Sequence, residues 1–440
     1  MSRKQSSIEI YEMRYVEQGI NKDLVNFIRF LITEELMIEL QGKYAVAKIF
    51  TDLVDEGTIS QVYEVLNQEF IKGSSVSIMP DCHVGSGCVI GTTITIKDKV
   101  VPSLVGVDIG CGMLLVNLGK IDLDFKSLDD FINEHIPAGH AVNDKIIDTS
   151  IDIEKLYCFS KLKQTTYLKK SLGSLGGGNH FIEVDKDDDG NYYLIIHTGS
   201  RNLGKQVAEH YQRLAIQYQK DKIFNVALES KKVIEEYKKN GKQKEIEKKL
   251  KELKNLKVGI PMPDNLAYLE GEGFDMYIHD MAICQAYAKK NRELIATKIL
   301  KHLKLDLKTL ESFETLHNYI NLDDMILRKG AIAAYQDELV LIPINMRDGC
   351  IIGKGKSCKD YNYSAPHGAG RLLSRSKANE VISLEEYEES MKGIYTTSVS
   401  RSTIDESPFA YKPIEAILDN IKDTVDIVKI IKPVYNFKAS

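Results

Sequence analysis

The chain has 440 residues, a formal net charge of −5, and 43% hydrophobic and 28% charged residues. That composition supports a sizeable core and excludes both a disordered chain and a globally basic, nucleic-acid-coating protein. The seven cysteines (82, 88, 111, 158, 284, 350 and 358) include no Cys-x-x-Cys pair, which excludes a zinc ribbon, argues against a disulfide framework and fits reduced thiols.

No run reaches transmembrane length, and Met-Ser-Arg-Lys-Gln-Ser-Ser at the start has no signal-peptide hydrophobic region, so a cytoplasmic protein is expected. No Pro/Ser/Gly-rich linker interrupts the middle of the chain, which favours one large domain with insertions. Residues 8 to about 70 carry helical periodicity, in Leu24, Phe27, Ile28, Leu31 and Ile32 and then Val62, Val65 and Leu66. This predicts a helical extension over residues 1–70 packed on a core of 71–440.

From Ser75 the character changes. A strand is expected to end at Pro80, followed by a loop holding Asp81 and His83 among Gly85, Gly87 and Gly91, an acid and an imidazole suited to metal binding or proton transfer. The stretch Pro102-Ser-Leu-Val-Gly-Val-Asp-Ile-Gly-Cys-Gly-Met113 follows. Its apolar run Leu104–Val107 reads as a buried strand that delivers Asp108 and Cys111 into a glycine turn, where carboxylate and thiolate can converge on one cation. A buried structural cysteine is the plainer alternative at this point.

Residues 120–170 read as helical, with His135 and His140 at the surface. Ser174-Leu-Gly-Gly-Gly-Asn179-His180-Phe-Ile-Glu183-Val then places three glycines before a β segment, which permits close approach of a phosphate or nucleotide to the backbone. A strand over Tyr192–Ile196 ends in His197-Thr-Gly-Ser-Arg201, a histidine and an arginine suited to a metal ligand beside a phosphate clamp. Residues 205–257 read as long helices, and 230–257 contain eleven Lys against five Glu. This predicts a basic helical insertion at about 225–258, either RNA-attracting or simply a solvated hairpin. Met276–Lys301 is a further helix.

His317-Asn318 and Arg328-Lys329-Gly-Ala precede a strand at Leu339–Pro343 and the loop Asn345-Met346-Arg-Asp-Gly-Cys350. Gly353-Lys-Gly-Lys-Ser fails as a Walker loop because Cys350 occupies the first glycine position. Last, Pro366-His367-Gly368-Ala369-Gly370-Arg371-Leu-Leu-Ser-Arg375 sets a histidine among small residues with two arginines after it. Small neighbours leave room for phosphorus to approach the imidazole, and guanidinium groups can hold its oxygens. Together these parts describe one pocket for metal ions and phosphate, serving phosphoryl or nucleotidyl transfer. Ligand softness alone names zinc or iron and does not separate them from manganese.

The motifs MPDCHVGSG, VGVDIGCGM, GSLGGGNHFIEV, HTGSRNLG, LHNY with RKGA, and PHGAGRLLSRSKA, in this order from Ile78 onward, resemble the RtcB family of RNA ligases. The resemblance implies an α/β (α+β) fold of mixed sheets and helices around a deep central pocket. It implies two Mn²⁺ ions held by Asp108, Cys111, His180, His197 and His317, with the cysteine touching both. It makes His367 the nucleophile that takes guanylate from GTP and passes it to an RNA 3′-phosphate, after which a 5′-hydroxyl displaces GMP; 2′,3′-cyclic phosphates are first opened. Asp81 becomes a candidate for proton transfer. Asn179, Glu183, Asn318, Asn345, Met346, Gly368, Ala369, Gly370 and Lys438 become candidates for nucleotide contact. Arg201, Lys329, Arg371 and Arg375 lie where RNA phosphates should pass.

The loop Pro343-Ile-Asn-Met-Arg-Asp-Gly departs from the Pro-Gly-Ser-Met-Gly of many members, and Cys350 stands where a serine is expected. The departure bears on the choice of base and leaves the metal and histidine motifs untouched. Two other readings stand beside the ligase: a metal-dependent RNA-end phosphoesterase, whose activity would survive loss of His367, and a non-catalytic RNA-binding relative.

Overall fold

The computed structural model describes residues 37–51, 54–256 and 258–438. The periodic residues Leu24 to Ile32 fall outside this range. Seventeen strands occur among the described residues: β1 Ile38–Gln41, β2 Val46–Ile49, β3 Val76–His83, β4 Ile90–Thr95, β5 Lys99–Val100, β6 Gly112–Gly119, β7 Phe181–Lys186, β8 Tyr192–Thr198, β9 Leu269–Glu270, β10 Ser312–Leu316, β11 Asn318–Asn321, β12 Ile326–Lys329, β13 Ala331–Ala333, β14 Leu339–Asn345, β15 Gly349–Gly355, β16 Ser364–Pro366 and β17 Val425–Lys438. The helices are α1 Glu56–Leu66, α2 Pro102–Val105, α3 Phe125–His135, α4 Thr165–Lys170, α5 Arg201–Ile223, α6 Val226–Lys239, α7 Ile246–Lys254, α8 Glu272–His302, α9 Arg375–Val381, α10 Leu384–Ser390 and α11 Ile414–Asn420.

This is a mixed α/β fold built on two large sheets. A six-stranded sheet runs β1-β2-β3-β4-β12-β11, and a seven-stranded sheet runs β10-β6-β8-β7-β17-β15-β14. The pair β13 and β16 joins Ala331 to Pro366, so the residue after β16, His367, is delivered from a strand end. One face of the seven-stranded sheet is covered by α3 and α8, with Leu114, Val116, Ile182, Val184, Leu194 and Ile196 buried against Leu128, Ile132, Ile295 and Ile299. Burying that much aliphatic surface, at roughly 25 cal/mol per Å², fixes the strand register and with it the positions of the strand ends.

Four expectations change. Residues 38–49, read as helical, form β1 and β2, and β2 pairs in parallel with β3, so this segment completes a sheet of the core. The run Leu104–Val107 is not a strand: Pro102 opens the short helix α2, and Val107 is 54% exposed. Proline at the first helical position presets φ, and a four-residue apolar run carries no period to contradict it. Asp81 and His83 lie on β3 rather than in a loop, along a stretch where the pairing with β4 is irregular between Ile78 and His83. Between residues 120 and 170 only α3, α4 and two short 3₁₀ turns are helical. Residues 226–254 contain the helices α6 and α7, and α6 has no buried side chain.

Candidate active site

The seven-stranded sheet gathers the predicted ligands at one end. Cys111 immediately precedes β6, His180 immediately precedes β7, His197 is the second-last residue of β8, and His317 immediately follows β10. Register brings them level, with Gly112 opposite both Thr198 and Leu316, and Phe181 opposite His197. The turn from Asp108 to Cys111 closes through Cys111 N donating to Asp108 O at 3.1 Å. At its centre Gly110 has φ +73°, and a Cβ there would lie 2.9 Å from the Cα of Gln285 in α8. Only glycine suits this close, left-handed position.

The ligand atoms converge. Cys111 Sγ lies 3.5 Å from His180 Nε2 and 3.4 Å from His197 Nε2, and His197 Nε2 lies 3.3 Å from His317 Nε2. Asp108 Oδ2 is 2.9 Å from His180 Nε2. The Nδ1–H groups of His180 and His197 donate to the carbonyls of Leu175 and Asn179, each at 3.0 Å. That fixes the tautomers and turns the Nε2 lone pairs toward the thiol and the carboxylate. Burial first, and neighbouring imidazoles second, hold His197 and His317 well below the usual imidazole range, while burial pushes the Cys111 thiol well above its own. Asp108 is held low despite burial, by His180 and Arg201. Two overlapping sets result, Asp108/Cys111/His180 and Cys111/His197/His317, each with ligand atoms within 4.8 Å and both sharing Cys111. Converging thiol, imidazole and carboxylate groups of this kind fit divalent transition-metal cations, whose binding would displace the Cys111 proton.

Across the cavity His367 is held by Asp81. Asp81 Oδ2 accepts from His367 Nδ1 at 2.7 Å and from His367 N at 3.2 Å. With Nδ1 donating, Nε2 keeps its lone pair, and the ring lies 5.2 Å, centroid to centroid, from His317. Gly370 makes this contact possible, since at φ +72° its Cβ would meet Asp81 O at 2.7 Å. The cavity, about 330 Å³, is lined by Asn179, Glu183, Asn318, Asn345, Met346, His367, Gly368, Ala369, Gly370, Arg371, Arg375 and Lys438 among others. Every expected nucleotide-contact residue is therefore brought to one chamber.

Several of these side chains are already engaged. Asn345 Oδ1 accepts from the backbone of Arg347 and Asp348, and Met346 Sδ accepts from Tyr387 OH at 3.1 Å. Glu183, 3% exposed, accepts from Asn436 Nδ2 at 2.6 Å and is pushed up to about 7 by burial. Of the four expected phosphate-binding cations, only Arg371 and Arg375 line the cavity. Lys329 is 4% exposed and donates to the carbonyls of Ser86 and Ser103, while Arg201 donates to Ser174 Oγ at 3.3 Å and Gly139 O at 3.0 Å. Both brace loops, because a buried cation needs acceptors and these carbonyls supply them.

Sequence reading missed Glu406. It accepts from Lys438 Nζ at 2.7 Å, Tyr411 OH at 2.7 Å and Arg375 Nη1 at 3.0 Å, and against the effect of burial these cations pull its carboxyl down to about 2. No local signal marks it, since every partner is distant in sequence or non-basic. It also missed the role of Asn291 and Arg292. Asn291 Oδ1 accepts from Gly173 N and Ser174 N, while Arg292 donates to Gly110 O, Thr198 O and Glu314 Oε1. A signal existed: two polar residues on the buried stripe of α8, alongside Cys284, Tyr287, Ala288 and Ile295.

Fold and site together define a mixed α/β protein in which a thiol-centred cluster of metal-ligand side chains faces an aspartate-held histidine across one cavity. The chain belongs to the RtcB family: the family model described as "tRNA-splicing ligase RtcB" matches residues 61–161 and 158–439. It is similar to the "RNA-splicing ligase RtcB" of Escherichia coli, 29% identical over 401 residues covering 83% of this chain and 90% of that protein. The "tRNA-splicing ligase RtcB" of Methanococcus maripaludis is 28% identical over 486 residues, covering 90% and 94%, and that of Aeropyrum pernix 27% over 468, covering 85% and 89%. Among the described residues no helix is long and apolar enough to cross a membrane.

Proposed function

We propose that this chain is a GTP- and Mn²⁺-dependent RNA ligase that joins 3′-phosphate or 2′,3′-cyclic-phosphate ends to 5′-hydroxyl ends. The observation that carries the reading is the Asp81–His367 contact of 2.7 Å, which keeps the proton on Nδ1 and leaves Nε2 facing the cavity beside the Cys111-centred cluster. His367 Nε2 attacks the α-phosphorus of GTP, its bond to phosphorus forming as that to pyrophosphate breaks. The guanylyl group passes to the RNA 3′-phosphate, and the 5′-hydroxyl then displaces GMP, so one difficult displacement becomes three easier ones. Asp108, Cys111, His180, His197 and His317 would hold two Mn²⁺ ions, which offset charge on the triphosphate and on the activated end. Asn179, Glu183 and Lys438 contact the guanylate, Asp81 positions the nucleophile, and Arg371 and Arg375 meet RNA phosphate. The reading carries with it a cytoplasmic enzyme of tRNA splicing or RNA repair.

The test is intact-protein mass spectrometry after incubation with Mn²⁺ and each nucleoside triphosphate, for the wild type and His367→Ala. A guanylate adduct in the wild type alone is expected. Another nucleotide on His367 would reassign the base, and no adduct with the metals bound would overturn the ligase in favour of the phosphoesterase.

A further inference from the structure

Two residues beyond Asp81, at the end of β3, stands a histidine to which the ligase reading gives no task. His83 lines the same cavity as His367. Its Nδ1 lies 3.1 Å from the carbonyl oxygen of Asp81, and among the described residues the ring makes no other hydrogen bond. A carbonyl only accepts, so Nδ1 carries the proton and Nε2 keeps its lone pair. The charged groups that face His83 are His367 and Arg371, with Asp81 on its own strand. Burial first, opposed by the Asp81 carbonyl and reinforced by His367 and Arg371, holds the ring below the ordinary imidazole range. The free base is therefore the form present at neutral pH.

Of the three displacements in the ligase reading, the first two have nucleophiles that bring no proton, His367 Nε2 and a phosphate oxygen. The third does: the 5′-hydroxyl must shed its proton as it attacks, and an alcohol does not ionise unaided near neutral pH. In-line displacement puts that hydroxyl on the side of the 3′-phosphorus away from the departing guanylate, and so away from His367, which works on the guanylate side. The other imidazoles of the cavity are committed, since His197 and His317 turn Nε2 into the Cys111-centred cluster.

Resting on the ligase reading, we propose that His83 is a further catalytic residue, the general base that takes the proton of the 5′-hydroxyl in the sealing step. As the bond from O5′ to the 3′-phosphorus forms and the bond from that phosphorus to GMP breaks, the O5′ proton passes to His83 Nε2. GMP leaves with the electron pair of the broken bond, the imidazolium returns its proton to solvent, and no oxidation state changes. With Arg371 meeting RNA phosphate, an anion comes beside the ring and favours the imidazolium as it forms.

The test measures two rates with Mn²⁺ in the full-length protein: guanylylation of His367 from GTP, and single-turnover sealing of an RNA already guanylylated on its 3′-phosphate to a 5′-hydroxyl strand. His83→Asn keeps a nitrogen near the Nδ1 position, able to donate to the Asp81 carbonyl, and removes Nε2. Sealing should fall by at least about 10²-fold while guanylylation stays within about threefold of the wild type. A 5′-thiol strand, whose sulfur ionises near about pH 8.5, needs no base at mildly alkaline pH and should narrow the defect to less than about tenfold. Sealing by His83→Asn at the wild-type rate would overturn the assignment. So would an equal defect with the thiol strand, which would make His83 a residue that orients RNA. Should His83→Asn fail to take guanylate, His83→Gln is judged by the same two rates, and loss of guanylylation in both variants overturns the assignment. A wild type that neither takes guanylate nor seals the activated strand would remove the ligase reading itself, a result distinct from all of these.

Discussion

Asp81 is 3% exposed, and one of its oxygens accepts both the backbone and the ring N–H of His367. Asp81→Asn keeps the shape but lets an amide N–H face Nδ1, moving the ring proton to Nε2. Adduct formation should fall by on the order of 10²-fold, with Mn²⁺ binding unchanged; an unaltered rate would show that the carboxylate does not set the tautomer. Glu406 yields a pH prediction. Its carboxyl lies near 2 in the folded protein, below the ordinary 4.5, so it contributes stability that is complete above the unfolded value and lost as pH falls toward 2. The loss amounts to as much as about 3 kcal/mol. Urea unfolding between pH 6 and pH 3 should show a steeper loss for the wild type than for Glu406→Gln, and parallel curves would mean that the ion-pair cluster is not its source. The two carboxylates also mark the limit of sequence reading. Asp81 sits in a motif, whereas Glu406 acquires its role only from Lys438, Arg375 and Tyr411, which folding brings to it.

Helix α8 carries the site's scaffolding. Asn291, 0% exposed, satisfies the backbone of Gly173 and Ser174 and donates to Ser174 O, Gly199 O and Thr198 Oγ1, thereby fixing the loops that lead into His180 and out of His197. Asn291→Leu fills the volume but orphans two N–H groups and two carbonyls. The expected cost is about 3 kcal/mol or more in chemical denaturation, accompanied by weaker metal retention. A variant as stable as the wild type would show that water or loop movement replaces these bonds. At this scale the sequence was legible where period or turn chemistry was strong, as in α5, α6, α8, β7, β8 and β14. It misled where runs were short: β1 and β2 have four residues each, β1 alternating half-buried with exposed positions and β2 burying only Ala47 and Ile49, and α2 has four residues opened by a proline.

For the molecule as a whole, composition and motif order pointed to one α/β body with a central pocket, but the sheet orders were beyond reach. β12 lies beside β4 and β10 beside β6, pairings across some two hundred residues that no local pattern encodes. What the topology achieves is that one end of the seven-stranded sheet holds Cys111, His180, His197, His317 and Lys438, while the six-stranded sheet and β16 bring Asp81 and His367 to face them. The basic hairpin of α6 and α7 stands outside this construction. It hangs from the C-terminal end of α5, whereas Ser200, at the opposite end of that helix, contacts Asp108; α5 spans 23 residues, roughly 34 Å of separation at 1.5 Å per residue. None of the side chains of α6 is buried, so its removal exposes little core. Replacing residues 225–257 with a short Gly/Ser linker should therefore leave the rate of His367 guanylylation within about twofold and the melting temperature within a few degrees. Loss of adduct formation in a variant with a native melting curve would show that the hairpin acts on the site from a distance, and a collapsed melting curve would make it part of the core.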